Sequence, residues 1–145
     1  MSSQTNDAYA NTSSVLLSNA PLPHSNEPLK LFIVDWELSH IGPIAFDLGQ
    51  LFAELFEFKH YKDIDVGVRL IEAFMEGYGK IGEGLAFKTA IHVGTHLIGF
   101  GTSVQGWGTT EQVEACVEVG RDFVVNGWKK DKKFFEGTAL KCLFV

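Results

Sequence analysis

Two carboxylates stand out by position. Asp35 closes the apolar run LFIVD at 31–35, and Asp47 opens the pattern DLGQLFAELF twelve residues later. Glu37 lies between them, ahead of the Gly42-Pro43 turn. An acidic side chain at the end of a buried strand has two uses. It caps the following turn by accepting hydrogen bonds from backbone amides, or it faces a cleft as a ligand for a hard cation. Magnesium keeps several waters and takes one or two carboxylates together with substrate phosphates, so one strand-end aspartate suffices for it. Asp47 falls at or near a helix start, where the amide dipoles favour an acid, and capping alone accounts for it. Spacing leaves both uses of Asp35 open.

Three other patterns invite chemistry. Gly77, Gly79 and Gly82 match the spacing GxGxxG of a phosphate loop, which needs a strand before the first glycine and a helix amide terminus after it. A helical pattern precedes these glycines, so they read as a helix end and a turn. His92 and His96, four apart in AIHVGTHLIGF, share a helix face as the zinc ligands of HExxH do. Val93 stands where that motif has its glutamate and no third ligand is placed by spacing, so hydrogen-bonded packing residues are the plainer reading; a zinc hydrolase needs metal in the purified protein. The lysine cluster WKKDKK at 128–133 complements a helix C-terminus and reads as a solvated face.

The elements that position these residues follow from composition and period. With 145 residues, 46% hydrophobic and 21% charged, the chain fits one domain with a sizeable core. A net charge of -6 opposes phosphate backbones, so no nucleic-acid partner is expected. Cys116 and Cys142 form no CxxC pair and are too few for a disulfide framework, which suits a reducing compartment. No secretory signal and no apolar run of membrane-spanning length is present, so a soluble cytoplasmic protein without a membrane partner is expected. Residues 1–13 are polar and expected to be frayed or disordered. Residues 14–145 form the domain. Short apolar runs at 14–18 and 29–35, joined by a proline-containing loop, predict a hairpin. Four helices follow, on the periods of Leu48, Leu51, Phe52 and Leu55; Ile71, Phe74, Met75 and Tyr78; Phe87, Ile91, Gly94 and Ile98; and Val113, Cys116, Val117, Gly120 and Val124. Glycines in GYGKIGEG and GFGTSVQGWG are expected to end the second and third helices through positive backbone dihedrals.

Val34-Asp35-Trp36-Glu37, then Gly42, then Phe46-Asp47-Leu48 resembles the IDxxxxxxG....DL signature of the aminoglycoside phosphotransferase and choline-kinase-like family, which shares the protein-kinase fold. HVGTHL and EVGRDFVVNGWKKDKKFF are similar to fungal members, and the resemblance runs from about residue 14 to the end. It implies a mainly α chain with a small β-hairpin, the C-terminal lobe of a protein-kinase-like α+β fold. It implies transfer of the ATP γ-phosphoryl group to a hydroxyl of a small-molecule acceptor, with ATP and Mg2+ as cofactors. Asp35 matches the family's metal-binding aspartate, which holds magnesium against ATP phosphates. Asp47 matches a structural aspartate that braces the catalytic loop through its backbone, and Gly42 the turn glycine between them.

The likeness breaks before the hairpin. Members carry HGDxxxxN there, supplying a base and a second metal ligand. Alignment on the first strand sets Ser14 at the asparagine, Tyr9 at the catalytic aspartate and Asp7 at the histidine; placing Asn11 at the asparagine needs a three-residue gap and sets Asn6 at the base. No catalytic residue is therefore assigned, and the 145 residues hold no nucleotide lobe. A truncated or divergent member, inactive alone, is expected. The rival expectation is a non-catalytic helical interaction module, in which Asp35 and Asp47 cap turns and the twelve phenylalanines cover a partner. A homo-oligomer through exposed apolar surface fits either. Acceptor identity is not legible.

Overall fold

The computed structural model describes residues 14–17, 29–35, 41–103 and 107–145. The expected frayed segment 1–13, with Asn6, Asp7, Tyr9 and Asn11, lies outside the described residues, as do the loop 18–28 and Trp36 and Glu37. A hairpin of β1 (Val15–Leu17) and β2 (Leu31–Ile33) is followed by helices α1 (Ile44–Lys62), α2 (Val66–Tyr78), α3 (Glu83–Gly99) and α4 (Thr110–Lys129). A short α5 (Lys132–Phe135) and a 3-10 helix (Lys141–Phe144) complete the order. The mainly helical architecture with a small hairpin agrees with the sequence expectation. The last two elements, each four residues long, are too short to show a hydrophobic period.

Local chemistry sets the helix ends. Pro43, extended at φ -69°, precedes the first turn of α1 and pre-sets its entry. Asp47 in that turn and Lys59, His60 and Lys62 in the last one oppose the helix dipole with the right signs. The chain leaves α1 through Asp63, left-handed at φ 53°, while Lys59 Nζ reaches Asp63 at 2.6 Å and Asp65 at 2.7 Å. Gly79, at φ 94°, ends α2 as its sequence foretells. Thr109 starts α4 with a capping box: its hydroxyl accepts from the Gln112 N–H at 3.3 Å and the Gln112 side chain accepts from the Thr109 N–H at 2.9 Å.

The third helix is the centre. It packs on α1 on one side and α4 on the other. Phe52, Val93, Leu97, Cys116 and Phe123 fill the space between them. The C-terminal segment closes one end with Phe135, Leu140, Leu143 and Phe144; Phe135 stacks on Phe144 at 4.7 Å and Phe87 meets Phe144 at 4.9 Å. Burying a ring of this size contributes about 1.5–3 kcal/mol. Where α3 crosses α4 the backbones touch. A Cβ on Gly94 would lie 2.4 Å from the Gly120 carbonyl oxygen, and one on Gly120 would lie 2.8 Å from that of Gly94.

Two expectations change. Among the described residues only Gly79 is a glycine with positive φ, and α3 ends at Phe100 in right-handed geometry. Gly101 and Gly108 supply room instead: a Cβ on Gly108 would lie 2.5 Å from the Tyr61 ring. The strand leading to Asp35, expected to be buried, is exposed, with Leu31 at 57% and Phe32 at 55%. The hairpin pairs with itself, Val15 opposite Ile33 and Leu17 opposite Leu31, rather than packing closely on the helices.

Two glycine substitutions should act with opposite signs. Gly94→Ala lowers stability by about 1–3 kcal/mol, because the crossing must open. Gly77→Ala, in α2 with nothing within 4 Å of the added methyl, raises it by about 0.5–1 kcal/mol. Urea unfolding midpoints of the two variants check both.

Candidate functional site

The hairpin's last backbone bond runs from the Val34 N–H to the Ser14 carbonyl, at 2.9 Å. One residue on, Asp35 turns left-handed at φ 68°, a conformation that aspartate tolerates better than most side chains. That turn ends the strand and leaves the side chain exposed. Among the described residues no hydrogen bond or ion pair holds its carboxylate. An open pair of hard oxygens fits a hard cation that keeps most of its waters. Gly42, half-buried, sits directly before Pro43, and Asp47, also half-buried, lies in the first turn of α1. Since Gly42 is not among the positive-φ glycines, left-handed geometry is not what that position requires.

A polar seam runs between α1 and α3. His92 stacks on Phe46 at 4.8 Å and covers Gly49, where a Cβ would lie 2.6 Å from the imidazole. His96 stacks on Phe100 at 5.1 Å, and its Nε2 stands 3.8 Å from Glu57 Oε1. Burial lowers the pKa of both histidines; His96 depresses His92 further, while Glu54 partly offsets the effect on His96. Glu57 is 4% exposed, and burial, with Glu54 adding like charge, pushes it up to about 7. The Tyr61 hydroxyl donates to the Gly101 carbonyl at 2.6 Å, and burial raises its pKa and that of the Cys116 thiol. Among the described residues no three His, Cys, Asp or Glu side chains gather as a metal site. The two histidines serve packing, each against its own aromatic ring.

The other motifs resolve simply. Gly77, Gly79 and Gly82 span the end of α2 and the start of α3, with a helix rather than a strand before them. In WKKDKK the lysines are exposed, Lys130 caps α4 in left-handed geometry, and Asp131 caps α5 by accepting from the Phe134 N–H at 3.2 Å. A depression of about 660 Å³ opens between α2 and the 3-10 helix, floored by Met75, Ile81, Leu143 and Phe144; Gly79 lies on its wall, and Asp35, Asp47, His92 and His96 do not line it. Glu57 is the group that motif reading misses. It falls four residues after buried Ala53 and four before buried Tyr61, so a count of polar residues on the apolar face of α1 would have found it.

Because His92 is neutral in the fold and its pKa is lowered there, its contribution is present above about pH 6.5 and lost as pH falls through the lowered value. Urea midpoints measured from pH 7 to 5 should fall further for the wild-type chain than for His92→Phe, which keeps a ring against Phe46.

No family model and no solved structure matches the chain. Curated proteins do. It is 31% identical over 119 residues to Phosphotransferase FrzJ of Cladobotryum sp, covering 82% of this chain and 31% of that protein. It is 29% identical over 99 residues to 4-hydroxytryptamine kinase of Psilocybe cyanescens, covering 67% and 27%, and 26% identical over 85 residues to 4-hydroxytryptamine kinase of Psilocybe cubensis, covering 57% and 23%. The chain thus spans under a third of the length of each of these relatives. No helix among the described residues is long and apolar enough to cross a membrane. By sequence, the chain is related to kinase-like phosphotransferases.

Proposed function

We propose that this chain is the helical lobe of an ATP-dependent small-molecule phosphotransferase of the aminoglycoside phosphotransferase type, and that Asp35 is its metal-binding carboxylate. The observation that carries the proposal is the match, over most of the chain, to proteins named phosphotransferase and kinase. The exposed carboxylate of Asp35, held by no hydrogen bond or ion pair among the described residues, supports the residue assignment. Asp35 is the residue that would hold magnesium, with ATP phosphates and water completing the ligand set. When bound, such an ion neutralises charge on the phosphates of the nucleotide.

The rest of the chain contributes position. The left-handed turn at Asp35 presents the carboxylate beyond the end of the ribbon. In this reading Asp47, in the first turn of α1, is the family's structural aspartate and Gly42 the turn glycine ahead of it. The acceptor is a hydroxyl-bearing small molecule. Alignment on the first strand puts Tyr9 at the base position and Ser14 at the asparagine position of HGDxxxxN, and neither matches, so the chain by itself transfers phosphate negligibly. A non-catalytic interaction module is the second reading, and the apolar side chains left in water along the hairpin favour it.

Titration with magnesium and ATP separates the two. In the phosphotransferase reading, amide resonances around Asp35 shift or broaden, and Asp35→Asn weakens the response by about tenfold or more, about 1.4 kcal/mol. A silent titration of the wild-type chain favours the module. Turnover of ATP should stay at background; magnesium-dependent turnover that disappears in Asp35→Asn would refute the inactivity of the isolated chain.

A further inference from the structure

Glu57 holds a carboxyl that is almost wholly buried. Among the described residues its Oε1 has no hydrogen-bond partner, and His96 Nε2, at 3.8 Å, stands beyond hydrogen-bonding distance. The roof over it is backbone. A Cβ on Gly101 would come within 2.7 Å of Oε1, so the turn of residues 100–103 after α3 lies directly on the acid. That turn is fastened around the carboxyl. Tyr61 donates its hydroxyl proton to the Gly101 carbonyl at 2.6 Å, and the N–H groups of Phe100 and Gly101 donate to the His96 carbonyl at 2.7 and 3.1 Å. Farther along, Lys62 Nζ donates to the Trp107 carbonyl at 3.1 Å, and the Trp107 ring stands edge-on to Tyr61 at 6.0 Å.

Among the described residues, the titratable groups facing this carboxyl are few. Helix α1 brings Glu54 and Tyr61, α3 brings His96, and α4 brings Cys116; residues 100–103, Phe-Gly-Thr-Ser, bring none. None of them is a cation at neutral pH. Ionised in this place, Glu57 has a like charge nearby at Glu54 and no donor on Oε1. An unpaired buried charge is relieved by admitting water or by neutralisation. Among the described residues, the cover that lies directly on Oε1 is the Gly101 turn.

We propose that Glu57 is a proton-operated latch for the turn that follows α3: with its proton on, the turn closes over the α1–α3 seam, and with its proton off, the turn lifts to hydrate the carboxylate. No bond other than O–H is made or broken, and the proton goes to solvent. The direction of the pH effect follows from burial. In the closed state the acid keeps its proton up to about pH 7, against an ordinary value of 4.5. The closed turn therefore has its full advantage below pH 4.5 and loses it as pH rises through 7. The depressed histidines act in the opposite sense, losing their contribution on the acid side, so a Glu57 variant isolates the latch.

Hydrogen exchange of the Phe100, Gly101 and Ser103 amides, corrected for the intrinsic base-catalysed rate, reads the latch in the full chain. Exchange should quicken by up to about tenfold per pH unit between pH 5 and 7 and level off above that, since one unit of proton affinity is a tenfold change in population. In Glu57→Gln, neutral at every pH, it should stay flat. Flat wild-type exchange, or an equal rise in Glu57→Gln, overturns the proposal. Should that variant not fold, the wild type still decides: the Glu57 carboxyl carbon and the Trp107 indole N–H must titrate together near pH 7 in NMR. Separate midpoints, or an indole signal that does not move, reject the latch.

Discussion

The close approach of α3 to its two neighbours is the constraint on which the remaining structure depends. Gly94 and Gly120 bring two helix backbones into contact, Gly127 seats Ile91, and Gly49 seats the His92 ring. Those approaches fix where α1, α3 and α4 lie. Phe52, Val93, Leu97 and Phe123 can then fill one continuous interior. Larger residues at the crossings would move the helices apart, and every apolar contact between them would weaken at once.

The same closeness explains the polar seam. Helices held this tightly bury Glu57, and the Gly101 turn lies over its Oε1. A carboxyl kept under such a seal retains its proton to near neutrality, and the imidazoles beside it stay uncharged. Stacking with Phe46 and Phe100 turns those rings into packing groups. The seam and the strand-end aspartate are therefore different kinds of acid: one is enclosed, the other is exposed to solvent.

Much of this was legible from residue order. The hairpin, the four long helices and the glycine stop after α2 follow from period and turn chemistry, because those signals are local. The order of residues sets Asp47 at or near a helix start, and α1 begins slightly earlier, at Ile44, because Pro43 sets the entry. α5 and the 3-10 helix carry no period to read. Gly101 and Gly108 looked like helix terminators, yet their purpose is room for Glu57 and Tyr61, partners more than forty residues away. The run ending at Asp35 looked buried because apolar composition does not reveal what covers it. The left-handed backbone at Asp35 is equally invisible in the letters.

A ribbon of two three-residue strands is marginal in water by itself, and this one shows apolar side chains to solvent. Its ordering and the placement of the Asp35 oxygens are one equilibrium. A molecule that shielded those side chains would thereby fix those oxygens, and any ligand of the oxygens would in turn favour the shielding by an equal factor.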